Sequence, residues 1–306
     1  MKRRLKVTLA GLDWANPMAA ASGCFGYGVE FEPFLDLSTF GAVMLKGLSL
    51  EPRPGNPTPR LAETPGGLLN SIGLENVGVD RFLEEKAPGL HGCGTVVVAN
   101  ILGDSADEFA EVARRLDDCR EVKAVEVNIS CPNIREGFLD VAQDPRAAEQ
   151  VTRAVKGATG KPVLVKLSPN VTDIAEIARA CEAGGADAVS AVNTYLGMAV
   201  DLRTRRSRLG RPVGGLSGPA IKPLALHAVR RVARAVKIPV IAAGGISTWE
   251  DAVEFLMVGA AAFQIGTINF IDPTAGQKII DGLEAYCRAQ EITNVRELVG
   301  TFQEEA

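Results

Sequence analysis

The sequence predicts an α/β protein, a TIM (β/α)8 barrel with inserted loops at the rim where its strands end. Short runs rich in β-branched residues alternate with longer amphipathic stretches from the N-terminal third onward, as in repeated βα units. There are eight short runs, and eight parallel strands close a barrel. With 306 residues, of which 46% are hydrophobic, the chain can bury a large core. No linker or repeat divides it, so we expect a single domain over residues 1–306.

The predicted strands are apolar along most of their length, as barrel strands must be when one face meets the filled interior and the other meets helices. They cover residues 18–21, 42–46, 95–100, 124–129, 162–167, 188–193, 239–243 and 262–266. The predicted helices cover residues 104–116, 145–158, 171–183, 222–236, 248–258 and 273–288. Hydroxyl and carboxylate side chains at Thr172-Asp173 and Thr248 to Asp251 favour helix starts, because they satisfy free backbone N–H groups there.

Each predicted strand ends in a polar residue or glycine. These ends are Ser22-Gly23, Lys46-Gly47, Asn100, Asn128, Lys166, Asn193-Thr194, Gly244-Gly245 and Gly266-Thr267. Because the carboxyl ends of barrel strands meet at one rim, we expect a single large site there. Two long segments, 49–94 and 196–219, interrupt the regular spacing, and loops of this length are usually functional or carry small elements of their own.

Composition excludes several classes of function. The formal net charge of −4 gives no reason to expect nucleic acid or an anionic membrane as a partner. A local arginine cluster in the second long segment indicates a solvated loop or a patch for an acidic partner. The N-terminus lacks a signal-peptide core and no segment is long and apolar enough to span a membrane, so we expect a cytoplasmic protein. The six cysteines are scattered and there are two histidines, so we expect no metal on this chain.

Cys131 lies in the motif Asn128-Ile129-Ser130-Cys131-Pro132-Asn133, which follows the apolar alternating run at residues 124–127 and reaches the loop at the carboxyl end of the predicted strand. A parallel barrel keeps its chemistry in such loops. A thiolate there can serve as a nucleophile or a general base. The alternative is a small buried hydrophobic residue, which is the role of most free cysteines.

The glycines after the last two strands favour a phosphate site. Without Cβ atoms, Gly244-Gly245 and Gly266-Thr267 allow backbone N–H groups to approach phosphate oxygens. The alternative is that each glycine only permits a turn. No GxGxxG motif follows the first strand, so a Rossmann dinucleotide domain is not supported.

Lysines and asparagines at other strand ends suit a phosphorylated planar cofactor. Lys46 and Lys166 follow apolar residues, which argues against ordinary surface lysines. At a rim, lysine can form a Schiff base, neutralise phosphate or hold negative charge on a reduced ring. Asn100, Asn128 and Asn193 add donors and acceptors without charge, as a flavin or pyrimidine ring requires.

Together these residues resemble class 1 dihydroorotate dehydrogenases, which are flavin enzymes of pyrimidine synthesis. The motifs run in order through nearly the whole chain: Lys46-Gly47, Gly55-Asn56-Pro57-Thr58-Pro59-Arg60, Asn70-Ser71-Ile72-Gly73-Leu74, the Asn128 to Asn133 motif, Val165-Lys166-Leu167-Ser168-Pro169 and Ala243-Gly244-Gly245-Ile246. Two further stretches, Asn193 to Asp201 and Leu216-Ser217-Gly218-Pro219, resemble the 1B type.

The resemblance implies oxidation of (S)-dihydroorotate to orotate. Cys131 would remove the C5 proton as a general base while the C6 hydride passes to N5 of FMN. Members of the 1B type are catalytic subunits that work beside an electron-transfer subunit carrying FAD and a [2Fe-2S] cluster, with NAD+ as final acceptor. The resemblance therefore implies a heterotetramer of two catalytic and two electron-transfer chains.

The resemblance also assigns the binding residues. Implied substrate contacts are Lys46, Asn70, Ser71, Ile72, Gly73, Leu74, Asn128, Asn193 and Thr194. Implied FMN contacts are Ser22, Lys46, Gly47, Asn100, Asn128, Lys166, Val192, Gly218, Gly244, Gly245, Gly266 and Thr267. Among these, Lys166 is expected beside the anionic edge of the reduced flavin.

Four alternatives remain at this stage. A class 1A enzyme shares the fold, FMN and Cys131 but is a homodimer that reduces fumarate, and the Gly197 to Asp201 stretch argues against it. Dihydropyrimidine dehydrogenase has a related barrel but needs iron–sulfur clusters and an uncharged substrate. A tRNA dihydrouridine synthase usually has a basic RNA-binding extension, which this acidic chain lacks. A non-catalytic scaffold leaves Cys131 and the polar strand ends unexplained.

Overall fold

The computed structural model describes residues 3–31, 33, 35–130 and 141–304. Its strands are β1 (Val7–Leu9), β2 (Leu12–Trp14), β3 (Met18–Ala20), β4 (Ala42–Met44), β5 (Leu61–Thr64), β6 (Gly67–Asn70), β7 (Val96–Ile101), β8 (Val122–Asn128), β9 (Val163–Lys166), β10 (Ala188–Ala191), β11 (Tyr195–Gly197), β12 (Val200–Asp201), β13 (Arg206–Ser207), β14 (Gly214–Ser217), β15 (Val240–Ala243) and β16 (Ala262–Ile265). Its helices are α1 (Val79–Arg81), α2 (Ala106–Asp117), α3 (Pro145–Ala158), α4 (Ile174–Ala183), α5 (Lys222–Ala233), α6 (Trp249–Met257), α7 (Ile268–Ile271) and α8 (Ala275–Ala289).

Eight strands form a closed barrel in which every neighbouring pair is parallel. The order is β3-β4-β7-β8-β9-β10-β15-β16, and β16 pairs with β3 to close it. Strands β3, β4, β9, β10, β15 and β16 are buried at every residue, as expected when one face lines the barrel interior and the other packs against helices. The predicted TIM barrel is therefore confirmed.

The helices alternate with the barrel strands from β7 onward. α2, α3 and α4 each connect successive barrel strands, α5 and α6 precede β15 and β16, and α8 follows β16. Side chains at the predicted helix starts bind the free N–H groups: Asp173 accepts from the Ala175 N–H, and Thr248 with Asp251 forms a capping box on α6. One long core of buried aliphatic and aromatic residues joins strands and helices, and it includes Trp14 from the β1-β2 hairpin.

The two long segments carry a sheet of their own. Strands β5, β6, β11 and β14 form an antiparallel sheet in the order β11-β14-β6-β5, so that the first segment pairs with the second. The register places Asn70 opposite Gly215 and Leu69 opposite Leu216. Leu69 also belongs to a small satellite core with Ala62 and Leu209. The expectation that these segments carry small elements of their own is confirmed.

Most element boundaries differ from the sequence prediction by one to three residues. Strand β4 ends at Met44 rather than at residue 46, and β10 ends at Ala191 rather than at residue 193. The next residue still bonds to the neighbouring strand in both cases: the Leu45 N–H donates to the Val98 carbonyl and the Val192 N–H donates to the Ala243 carbonyl, each at 2.9 Å. Within the described residues, no helix is long and apolar enough to cross a membrane.

Gly41 is required for the close approach of two barrel segments. A Cβ atom at this position would lie 1.9 Å from the backbone oxygen of Asn16. That backbone has little room to yield, because the Asn16 side chain donates to the Thr39 carbonyl at 2.9 Å and accepts from the Met18 N–H at 3.0 Å. We expect Gly41→Ala to lower the free energy of unfolding by about 3 kcal/mol, through forced displacement of main chain. Urea unfolding followed by circular dichroism measures this.

Gly157 in α3 is the matched control, because a Cβ atom there meets nothing within 4 Å. Gly157→Ala is expected to raise stability by roughly 0.5–1 kcal/mol, the helix preference of alanine over glycine. Equal stability of the two variants would show that the β3-β4 junction is not tightly constrained.

Candidate active site

A cavity lies at the carboxyl ends of the barrel strands β3, β9, β10, β15 and β16. Ten residues predicted for the site lie on its wall: Ser22, Lys166, Val192, Asn193, Thr194, Gly218, Gly244, Gly245, Gly266 and Thr267. The other described members of the predicted set are not part of this wall: Lys46, Gly47, Asn70, Ser71, Ile72, Gly73, Leu74, Asn100 and Asn128. The barrel thus brings together residues from positions 22 to 267 of the chain.

Two consecutive glycines after β15 lie on the cavity wall, and the second packs closely against the backbone of Lys222. Gly244 and Gly245 have φ values of 120° and 78°, a region that favours glycine. A Cβ atom at Gly245 would lie 2.7 Å from the backbone of Lys222. The Lys222 ammonium pairs with Asp251 and Glu254, so its charge is already neutralised. Any anion at this wall would therefore rely on backbone N–H groups and on other cations.

Two lysines supply positive charge at the rim. Lys166 ends β9 and has 6% of its surface exposed, whereas Lys46 follows β4 and is partly exposed. Among the described residues, neither ammonium group forms an ion pair within 4.0 Å. A nearly buried, unpaired ammonium group is costly unless an anion reaches it. Lys166 therefore indicates an anionic ligand, and Lys46 adds a second positive charge at the rim.

The segment at residues 70–74 is held in an unusual conformation by its neighbours. Gly73 and Leu74 have φ values of 74° and 58°, so consecutive residues adopt left-handed backbone. The Asn56 N–H donates to the Ile72 carbonyl at 3.0 Å, and the Asn56 side chain donates to the Ser71 hydroxyl at 3.0 Å. The segment is therefore fixed by its hydrogen bonds to Asn56.

Amide side chains at the ends of β8 and β10 face each other. The Asn193 amide donates to Asn128 Oδ1 at 3.4 Å, and Asn193 Oδ1 accepts from the Thr194 N–H at 2.8 Å. Ser130 is anchored in the same region, because its hydroxyl donates to the Lys166 carbonyl at 3.1 Å. Cys131, the predicted general base, lies outside the described residues.

A buried polar cluster inside the barrel was not found by sequence reasoning. The Glu126 carboxylate, fully buried in β8, accepts from Asn100 Nδ2 at 2.7 Å, Ser190 Oγ at 2.7 Å and Gln264 Nε2 at 2.9 Å. Gln264 also belongs to the cavity wall. Of the four residues, the sequence prediction included Asn100 alone. A charged residue within an otherwise apolar run was the available signal at Glu126.

Cys24 also lies on the cavity wall. Desolvation raises the pKa of its thiol from 9.0 to about 11, against a smaller lowering by the charge of Lys166. A raised pKa favours the neutral thiol, so Cys24 is not a reactive thiolate near neutral pH.

We expect iodoacetamide to label Cys24 slowly in the folded protein at pH 8. The rise in pKa from 9.0 to about 11 lowers the thiolate fraction about a hundredfold relative to the unfolded chain. Peptide mapping by mass spectrometry after labelling with and without urea measures the difference. The half-buried Cys93 serves as the internal control. Equal labelling rates of Cys24 in both states would contradict the raised pKa.

Comparison with known proteins gives a consistent result. Residues 4–287 match the family model described as dihydroorotate dehydrogenase. A relative from Geotalea uraniireducens (strain Rf4) is 52% identical over 301 residues, which cover 98% of this chain and 99% of the relative. Relatives from Desulforamulus reducens and Geobacter sulfurreducens are each 53% identical, cover 98% and 99% of this chain respectively, and match over 99% of their own length. All three are named dihydroorotate dehydrogenase B (NAD(+)), catalytic subunit. The chain therefore belongs to the dihydroorotate dehydrogenase family.

Proposed function

We propose that this chain oxidises (S)-dihydroorotate to orotate in pyrimidine biosynthesis, as an FMN-dependent catalytic subunit linked to NAD+. The observation that carries the proposal is one cavity at the barrel rim of a dihydroorotate dehydrogenase family member. Its wall combines Gly244, Gly245 and Gly266 with Lys166, which has no ion pair among the described residues. The glycines suit a phosphate, and the lysine suits a second anionic group. We further propose that residues 1–306 form one domain and that the protein is cytoplasmic.

The residues of the cavity fit FMN. Gly244, Gly245 and Gly266 line the cavity without side chains, so phosphate oxygens would meet their backbone directly. Two amide oxygens, Asn100 Oδ1 and Gln264 Oε1, are buried without a partner among the described residues and are available to cofactor donors. When bound, FMN supplies the hydride acceptor. Ser22, Lys46, Gly47, Asn128, Val192, Gly218 and Thr267 complete the proposed FMN contacts.

The proposed substrate contacts are of two kinds: groups that bind the charged carboxylate and groups that bind the uncharged ring. Lys46 and the backbone N–H groups of Gly73 and Leu74 would bind the substrate carboxylate, because charged hydrogen bonds offset the cost of taking it out of water. The amides of Asn128 and Asn193 would bind the ring carbonyl and N–H edges. Asn70, Ser71, Ile72 and Thr194 complete the proposed set. Asn70 Nδ2 donates to the Gly215 carbonyl at 3.1 Å, which fixes the start of the segment.

Cys131 is proposed as the general base that takes the C5 proton. The residue before it, Ser130, is tied to β9 through the Lys166 carbonyl, and the strand end before that carries Asn128. A free thiol is only about 5% ionised near neutral pH, so the site must stabilise its thiolate during the reaction.

Electrons are proposed to leave through a partner. The relatives are named as catalytic subunits of an NAD(+)-linked enzyme, which favours that type over a fumarate-dependent one. We propose that the partner carries FAD and a [2Fe-2S] cluster and that two chains of each kind form a heterotetramer.

Anaerobic mixing of the FMN-loaded chain with dihydroorotate tests the function. We expect dihydroorotate to bleach the flavin absorbance, and we expect neither NAD+ nor fumarate alone to restore it quickly, because the proposed route to NAD+ runs through the partner. Dihydrouracil is the matched control, since it has the same ring without the carboxylate that Lys46 would bind. Absence of bleaching by dihydroorotate would refute the substrate assignment, and rapid reoxidation by fumarate would refute the NAD+ type.

Cys131→Ala tests the general base. We expect normal FMN binding but flavin reduction slower by about 10²–10⁴-fold, the usual contribution of a positioned base. Stopped-flow absorbance with dihydroorotate measures the rate. Cys119→Ala controls for the loss of a cysteine, because this half-buried thiol lies beyond α2 and outside the proposed site. Wild-type rates in Cys131→Ala would assign proton removal to another group.

A further inference from the structure

Glu126 is a candidate for a role that neither the sequence motifs nor the proposed contacts include. It is fully buried in the barrel interior and accepts hydrogen bonds from three side chains on three other strands. Glu126 lies two residues before Asn128 on β8, so both side chains project from the same face of the strand. The carboxylate therefore lies one layer of side chains deeper in the barrel than Asn128, a proposed binding residue.

We propose that Glu126 is a positioning residue that orients the side-chain amides of Asn100 and Gln264, so that their carbonyl oxygens are presented as acceptors to the bound flavin. The inference rests on the proposed function, because it requires FMN in the cavity. The flavin supplies N–H groups on its ring and O–H groups on its ribityl chain, which are the donors that such acceptors recognise.

The direction of the two amides follows from the chemistry of the carboxylate. An ionised carboxylate only accepts hydrogen bonds, whereas an amide has one donating and one accepting end. Asn100 Nδ2 donates to Glu126 Oε2, and Gln264 Nε2 donates to Glu126 Oε1. With both NH₂ groups committed to Glu126, each carbonyl oxygen must point elsewhere. A neutral side chain in place of Glu126 would not impose this choice on both amides.

The two carbonyl oxygens that are oriented in this way have no hydrogen-bond partner among the described residues. Asn100 Oδ1 and Gln264 Oε1 are both buried and accept no hydrogen bond from a described residue. Their residues are 0% and 1% exposed. A buried acceptor without a partner calls for a physical explanation, and a bound ligand that donates to it is one such explanation. They also lie beside proposed flavin contacts: Gln264 belongs to the cavity wall, and a Cβ atom at Gly47 would lie 3.1 Å from Asn100 Oδ1.

A purely structural role explains the cluster less well. A buried carboxylate among aliphatic side chains often contributes nothing to stability, and a hydrophobic residue of similar volume performs as well. A structural cluster is also expected to satisfy all its members, because a partly satisfied one is costly. The Ser190 hydroxyl is satisfied in this way, because it donates to Glu126 and accepts from Gln264 Nε2 at 3.2 Å. The carbonyl oxygens of Asn100 and Gln264 are not.

Glu126→Gln tests the proposal with almost no change in volume. The new amide adds a donor, so it cannot accept from both neighbouring NH₂ groups and from Ser190 in the same arrangement. We expect the apoprotein to bind FMN and riboflavin each at least tenfold more weakly, with an unchanged ratio of the two affinities, because the acceptors do not serve the phosphate. Fluorescence titration measures both dissociation constants, and urea unfolding of the apoprotein measures stability.

Ser190→Ala is the matched control. It removes one donor to Glu126 but leaves both amides directed by the carboxylate, so we expect FMN affinity within about threefold of wild type. A purely structural Glu126 would lower the stability of Glu126→Gln while leaving both flavin affinities unchanged, and that result would overturn the proposal. Loss of FMN affinity alone, with riboflavin unaffected, would overturn it as well. Failure of the wild-type protein to bind FMN would instead refute the proposed function.

If Glu126→Gln does not fold, Glu126→Asp decides. It keeps a carboxylate but withdraws it by one methylene from the two NH₂ groups, so we expect soluble folded protein that binds FMN and riboflavin more weakly by a similar factor. A folded Glu126→Asp protein with wild-type affinity for both flavins would overturn the proposal. A Glu126→Asp protein that also fails to fold would assign Glu126 a structural role and overturn the proposal as well.

Discussion

Closure of the parallel barrel is the constraint on which the rest of the molecule depends. Because β16 pairs with β3, no barrel strand has an open edge, and each strand is enclosed by the interior on one side and by other elements on the other. Apolar side chains satisfy this along most strands. Where a polar side chain faces inward, it must find its partners inside the barrel, and Glu126 does so through donors from β7, β10 and β16.

The antiparallel sheet of the inserted segments determines the shape of the rim. Pairing of Asn70 with Gly215 holds the first long segment against the second, and it fixes the position at which residues 70–74 begin. Glycines make the approach possible. A Cβ atom at Gly215 would lie 2.1 Å from Thr194 Oγ1, and one at Gly214 would lie 2.6 Å from the Asn70 carbonyl. Two proposed substrate contacts, Asn70 and Thr194, are therefore held beside the same strand.

The sequence predicted the barrel well because its signals are local. Apolar runs, helix caps and polar strand ends each occupy a few consecutive residues, and α3 was predicted to the residue. Pairing of β6 with β14 was not predicted, since it joins segments about 145 residues apart and glycine-rich strands have weak patterns. Glu126 was missed because the partners of one charged residue lie on other strands. The site assignments themselves, including Cys131 outside the described residues, stay predictions.

The barrel rim carries positively charged lysines, although the chain as a whole has a negative net charge. The protein carries a formal net charge of −4, yet Lys46 and Lys166 stand at strand ends without an ion pair among the described residues. Holding such cations near a cavity costs stability in the free protein, and a bound anion reverses that cost. FMN and dihydroorotate each bring negative charge, as phosphate and as carboxylate. A ligand that binds only the folded state adds RT ln(1 + [L]/Kd) to stability, so either anion would stabilise the folded barrel when it binds at the rim.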